Sequence, residues 1–322
     1  MLIPIDATNS DHHRSIASIW STACGNCFTI SPSFVAYNLD AAPGLEQEGR
    51  LSVGELGTPA GFVVVSRLTG DPGTSPPTHG WIDAIAVLPE CQEQGHGASL
   101  LQWAEEWLVE RGGTDVTLGC GLRTFTPGVP PDTLSAPFFM GRGYRVRETA
   151  AEGLVWDVAA DLSAYATPAT VREIPGQVRP AAPGDHEALT NFLDREFPGR
   201  WRFEAVDYLA RGGRIGDFML LWTDDGVDGF CQLTFEDSPR PLERYYPYGL
   251  PRPWGQLGAI GVSASVRGRG YGAAVLDAGL RRLRDNGVRG CVIDWTDLLG
   301  FYGKFGFSQY REYLQLNKKL QR

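Results

Sequence analysis

The sequence predicts an α/β protein made of two tandem, related domains, each a mixed sheet with helices on both faces, and three observations carry that reading. The chain has 322 residues, beyond the roughly 100 to 200 of one ordinary domain. Its halves repeat: Val87, Gln92, Gly95 and Gly97 recur as Val262, Arg267, Gly270 and Gly272, and Phe138, Phe139, Gly143 and Tyr144 recur as Phe301, Tyr302, Gly306 and Phe307. In each half, strand-like runs alternate with patterns of helical period.

The first motif repeats at an offset of 175 residues and the second at 163, so the first half carries 175 − 163 = 12 extra residues between them. The proline-rich stretch 124–135 is the place for them. Apolar periodicity stops after the run from Leu154 to Val158 and restarts at Val178, which divides the chain into domains at 1–165 and 178–322 with a linker at 166–177. In the first domain, strands are expected at 81–87, 116–119 and 154–158, with a helix at 98–111. In the second, Asp185 is the expected N-cap of a helix reaching Phe197, and strands 218–222 and 229–235 form a hairpin through Asp224, Asp225 and Gly226. A strand at 256–263, the glycine turn, a helix at 271–286, a strand at 291–295, a short helix through Tyr302 and a strand at 310–316 follow.

Composition excludes several classes. Lys and Arg total 29 against 38 Asp and Glu, a net charge of −9, which argues against a protein that grips nucleic-acid phosphates with a basic surface. The 40 Gly and 22 Pro signal turns rather than disorder, because 9 Trp, 11 Tyr and 15 Phe are spread among them. Six scattered cysteines in a chain of this size read as reduced thiols of a cytoplasmic protein, and Cys24-Gly-Asn-Cys27 has no second pair to complete a metal site. No basic, apolar leader opens the sequence and no run of 18 apolar residues occurs, so neither export nor a membrane is expected.

The segment Arg267, Gly268, Arg269, Gly270, Tyr271, Gly272 lies between a strand and an amphipathic helix. Small residues there let backbone N–H groups converge where the positive end of the helix dipole adds to them, a place for phosphate. A bare glycine turn is the simpler alternative, weakened by the second copy at Gln92 to Gly97. A dinucleotide fingerprint also fits locally, with Gly268, Gly270, Ala273 and then Asp294. It fails globally, because a dinucleotide half needs another strand and crossover after that acid.

At these residues the chain resembles the GNAT acetyltransferase superfamily, whose R/Q-x-x-G-x-G/A motif follows a strand; both halves match. The resemblance spans nearly the whole chain and implies two domains, each with a central, mostly antiparallel mixed sheet. It implies acetyl-CoA as cofactor, its pyrophosphate on the turn and its pantetheine arm along the preceding strand, here Ile260 and Val262 in the second half and residues through Val87 in the first. Leu298 to Phe307 looks like the family's late signature, in which a tyrosine often protonates the departing thiolate; that residue is Tyr302, and a phenol is neutral at pH 7 and able to donate. Trp295 replaces an asparagine common in that signature. Phe139 stands in the first half where Tyr302 stands in the second, so the first domain lacks this acid and reads as a degenerate partner of a catalytic second domain.

Direct transfer needs a neutral amine, hence a base near the splayed strand ends: Asp294 ranks first and Glu236 second. Trp201, in Phe-Pro-Gly-Arg-Trp, together with Asp237 and the aromatic segment 238–254 carrying Tyr245, Tyr246 and Trp254, is the expected acceptor wall. A packed loop or a homodimer contact is the alternative role for that segment. The late signature is similar to that of members linked to amino-sugar metabolism. The expected function is therefore acetyl transfer to the primary amine of a small molecule, amino sugars included; a non-catalytic acyl-CoA sensor and a protein lysine or N-terminal acetyltransferase are the competing readings.

Overall fold

In the computed structural model, the described residues are 1–54, 57–71, 73–130, 135–149 and 151–321. The first half of the chain gives β1 (Leu2–Pro4), α1 (Ser10–Cys24), α2 (Pro32–Leu39), β2 (Leu45–Val53), β3 (Pro59–Leu68), β4 (His79–Val87), α3 (His96–Glu110), β5 (Asp115–Leu118), α4 (Ser135–Met140), β6 (Arg145–Val146) and β7 (Leu154–Asp161). The second gives β8 (Gln177–Pro180), α5 (His186–Glu196), α6 (Arg200–Ala210), β9 (Phe218–Thr223), β10 (Gly226–Phe235), β11 (Trp254–Val262), α7 (Tyr271–Asp285), β12 (Gly290–Thr296), α8 (Leu299–Gly303), β13 (Ser308–Leu314) and β14 (Leu316–Lys319).

These elements form two seven-stranded sheets, ordered β1-β2-β3-β4-β5-β14-β6 and β13-β7-β12-β11-β10-β9-β8. In each, one parallel pair, β4 with β5 or β11 with β12, sits among antiparallel neighbours. The tandem α/β architecture is the one the sequence predicts, but the last strands are exchanged. β14 lies between β5 and β6, while β7 lies next to β12. The compact units are accordingly residues 1–155 with 312–322, and residues 156–311, and they cross the linear division at 165 and 178.

Helical spacing makes α7 a core element of the second unit: Val275, Leu276, Leu280 and Leu283 present one apolar stripe to Cys231, Leu233, Leu257 and Ile293 on the sheet. On the other face, Leu189, Phe192 and Leu193 of α5 and Ala205 and Tyr208 of α6 cover Phe218, Leu220 and Phe230. Burial of each such large side chain contributes about 1.5–3 kcal/mol. In the first unit, Leu100, Leu101, Ala104 and Leu108 of α3 play the part of α7, packed on Val63, Val65, Ile82 and Val116, with Leu316 of β14 in the same core. Asp185 stands at the N-cap of α5 as expected, but its side chain makes no capping hydrogen bond to the helix. Its carboxylate accepts from Arg179 and from the backbone N–H of Ala182, at the turn before the helix. Among the described residues, no helix is long and apolar enough to cross a membrane.

Candidate active site

The parallel strands β11 and β12 pair only at Trp254 with Gly290, Gly255 with Cys291 and Gln256 with Val292. Beyond that level both strands carry a bulge. On β11, Gly258 and Ala259 face the single residue Gln232 of β10; on β12, Asp294 and Trp295 face the single residue Asp157 of β7. An inserted residue bends its strand and strengthens the local twist, so two bulges at one level prise the strands apart. A cavity of about 470 Å³ occupies the splay.

Ile260 of β11, Asp294 and Trp295 of β12, Tyr302 of α8, Trp201 of α6 and Tyr245 line this cavity. Ile260, Asp294, Tyr302, Trp201 and Tyr245 are site residues expected from the sequence, and the fold brings these five together. Glu236 and Asp237 are elsewhere. β10 runs antiparallel to β11, so its C-terminal end pairs with the beginning of β11, Phe235 opposite Gly255, whereas the cavity lies beyond Gln256. Glu236 there accepts from Arg252 and from the backbone N–H of Trp254, and Asp237 takes both nitrogens of the Arg214 fork. Trp254 lies at that same end, its ring under Arg252. Tyr246 is fully buried beneath Arg311 and does not line the cavity.

Several lining residues went unread in the sequence: Arg200 and Glu204 of α6, Arg240 and Arg244 after β10, and Gln256. Arg200 donates to Glu204 at 2.9 Å and lies 4.4 Å over the Trp295 ring, and Arg244 stands 3.8 Å from the same carboxylate. Burial alone would raise Glu204, but Arg200, Arg240 and Arg244 outweigh it and hold the carboxyl at about 2. Asp294 goes the other way. Burial lifts it above the usual carboxylate range, against the pull of Arg244 and of the Gln256 hydrogen bond. Tyr302 is raised as well, by burial and then by the neighbouring Asp294, so its hydroxyl stays protonated across the neutral range. One cavity thus holds a carboxylate that stays ionised near neutral pH, a carboxyl of raised proton affinity and a phenol that keeps its proton.

The glycine turn adjoins this strand end. Gly268 and Gly270 have φ of 73° and 92°, a left-handed backbone that disfavours side chains. Gly270 caps α7 with no side-chain hydrogen bond to its first N–H groups, and a Cβ placed at Gly272 would meet nothing within 4 Å. The turn is therefore an open cradle of donors that fits a phosphate group. Arg267 Nε reaches back to the Val262 carbonyl at 3.4 Å. Arg269 lies 5.5 Å from the Tyr271 ring, which itself packs in the core.

The equivalent turn of the first unit has the same backbone and a different surrounding. Gly95 caps α3 at φ 88°, and Gln92 Nε2 donates to the Val87 carbonyl at 3.2 Å, repeating the Arg267 contact. At Gly97, however, an added Cβ would stand 3.3 Å from the Phe138 ring. The splay beside it is also filled. After β5, Gly119 N donates to Ile82 O, Phe125 N and Thr124 Oγ1 to Asp83 O, and the Phe125 ring packs against Trp20, Phe34 and Phe62. Of the stretch expected to hold the first half's extra residues, 131–134 lie outside the described residues.

Comparison with known proteins accords with this geometry. The acetyltransferase (GNAT) family model matches residues 14–124 and 186–307. Mycothiol acetyltransferase from Parafrankia sp. (strain EAN1pec) is 28% identical over 131 residues, which is 37% of this chain and 40% of that protein, so the match spans less than half of either. The GCN5-related glucosamine N-acetyltransferase region of a fungal multi-domain β-N-acetylglucosaminidase superposes with a TM-score of 0.87 at 24% identity, over 98% of this chain and 38% of that one. A tandem GNAT protein from the clavulanic acid biosynthesis pathway does so at 0.72 and 15% identity, over 100% of this chain and 99% of the other. These solved structures share the fold.

Proposed function

The chain belongs to the acetyltransferase (GNAT) family, and from that premise we propose that its second unit transfers an acetyl group from acetyl-CoA to the primary amine of a small molecule, an amino sugar being the preferred class. The observation that carries the reading is that Asp294 and Tyr302 share one cavity at a splayed strand pair, and that the chain leaving β11 from that cavity forms an open glycine cradle. Acetyl-CoA, when bound, supplies the activated acetyl thioester. The cradle at Arg267 to Gly272 would hold its pyrophosphate, with Ile260 and Val262 along the arm.

The chain's own residues supply the rest. Asp294, its carboxyl raised by burial, accepts the proton that leaves the acceptor amine. Tyr302 holds a proton on Oη for an anionic leaving group. Trp201, Tyr245 and Trp295 offer aromatic faces to a sugar ring, and the ionised Glu204 offers an acceptor for its hydroxyls. Glucosamine, named for the fungal relative, suits such walls. The first unit, with Phe138 over its turn and its own chain in the splay, is a degenerate domain that holds no acetyl-CoA.

A thiol-release assay with acetyl-CoA and a panel of amines tests this, with glucosamine, amino acids and a lysine peptide as arms. Turnover of an amino sugar above the peptide is the expected result. Calorimetric binding of acetyl-CoA with no turnover of any amine would turn the reading to an acyl-CoA sensor, and preference for the peptide would turn it to a protein acetyltransferase.

A further inference from the structure

We propose that Thr234 and Gln256 are positioning residues that keep Asp294 ready to accept a proton, by fixing which end of the Gln256 amide meets its carboxylate. The proposal rests on the role given to Asp294 above. Three adjacent strands contribute one side chain each to a single line: the Thr234 hydroxyl of β10 donates to Gln256 Oε1 at 2.8 Å, and Gln256 Nε2 of β11 donates to Asp294 Oδ1 at 2.7 Å on β12. Register places Thr234 directly opposite Gln256. Thr234 and Gln256 are 0% and 1% exposed, so water does not replace either bond. Gly258 makes room for the pair, since a Cβ there would stand 2.7 Å from Gln256 Nε2 and 3.1 Å from Asp294 Oδ1.

A primary amide presents an acceptor at one end and donors at the other. With the nitrogen toward Asp294, the carboxylate is favoured in its ionised form, and the buried Oε1 at the far end requires a donor of its own, because an unpaired buried carbonyl is destabilising. Thr234 is that donor. Without the hydroxyl, the native orientation leaves Oε1 unpaired and loses its preference, so the turned amide, with Oε1 toward Asp294, comes into play, and Asp294 can satisfy that oxygen only as a protonated acid. The Thr234 hydroxyl therefore acts on Asp294 through the amide, at no contact with the acceptor. It works against burial and the negative charge of Glu204 on α6, in the same direction as Arg244 and Arg240, while Arg200, Asp297, Tyr245 and Tyr302 line the same cavity.

The test reads Asp294 directly. In the full chain labelled with ¹³C at aspartate carboxyls, the Asp294 signal is assigned by its loss in Asp294→Asn and titrated by NMR. Thr234→Val, nearly isosteric, is expected to raise the midpoint by about 0.5 to 1 pH unit, a three- to tenfold gain in proton affinity. Thr234→Ser is expected to restore it. Gln256→Met, which keeps length and removes the donor, should move the midpoint the same way and serves if Thr234→Val does not fold. A Thr234→Val midpoint equal to that of the wild type overturns the proposal. Full turnover by Asp294→Asn would instead remove the base role of Asp294 and leave the titration result standing, so the two failures are distinct.

Discussion

Asp157 Oδ1 accepts a 2.9 Å hydrogen bond from the backbone N–H of Trp295, so a residue from the first half of the sequence holds part of the cavity wall of the second unit in place. Trp295 needs such a partner. It sits in the β12 bulge at φ 53°, a conformation that bulky residues seldom adopt, and its N–H has left the ladder. Held there, the indole lies under Arg200 and faces the cavity.

Asp157→Ala should therefore destabilise the chain by about 1 kcal/mol, for a part-buried N–H left without its partner, and lower kcat/KM as Trp295 relaxes. Asp157→Asn retains an acceptor oxygen and should stay near wild type. Thermal unfolding and amine turnover, measured together, check the pair. An unchanged melting temperature for the alanine variant would mean that the bulge is held by other contacts.

Strand exchange makes a second expectation. A fragment ending at residue 165 lacks β14 between β5 and β6, and a fragment starting at 166 lacks β7 beside β12. Each would expose unpaired strand edges and lose a core element. Expressed separately, both fragments should give poorly dispersed NMR spectra and aggregate. A well-folded fragment 166–322 would show that β7 is dispensable.

The parts legible in the sequence were those specified locally. Gly268 and Gly270 are demanded by their own φ, and Asp294 and Tyr302 follow from a strand end and a short helix beside them. Pairing is not local. Leu154 to Val158 announces a strand without naming its partner, and only the antiparallel sense of β10 sends Glu236 and Asp237 to the end of the sheet away from Asp294. Helix α6 went unread because Phe197-Pro-Gly reads as a loop entrance and its sequence, from Arg200 to Ala210, mixes aromatic and charged residues without a clear stripe. The four-residue spacing of Arg200 and Glu204 was the available signal. The line from Thr234 to Asp294 exists only once register joins three strands.

The two turns provide a built-in control for cofactor binding. Gly270→Val and Gly95→Val impose the same left-handed strain, at φ of 92° and 88°, so each should lose stability by a similar amount, about 1–2 kcal/mol. Only Gly270→Val should lower acetyl-CoA affinity, by at least tenfold in calorimetry, because Phe138 already stands over the first turn. Equal losses of affinity would assign the cofactor to both units, and loss with Gly95→Val alone would move it to the first.

Tyr302→Phe isolates the chemistry. It removes one hydroxyl and almost no volume from a ring that packs in the core, so fold and acetyl-CoA affinity should hold. Burial first, and Asp294 next, raise the phenol above its ordinary value; the hydroxyl therefore remains a donor through neutral and mildly basic pH, and no alkaline limb of the rate profile belongs to it. The acid limb should belong to Asp294. Its carboxyl is raised, and it must be ionised to accept a proton, so kcat/KM should climb as pH rises through its folded-state value and flatten above. In Tyr302→Phe the plateau should fall by about 10²- to 10⁴-fold, with the acid limb still present and the Michaelis constants little changed, the pattern of an interaction made only in the transition state. Asp294→Asn should abolish the limb itself. Wild-type turnover by the variant would leave the leaving group to take its proton from elsewhere, and a loss confined to affinity for the amine would make Tyr302 a binding residue.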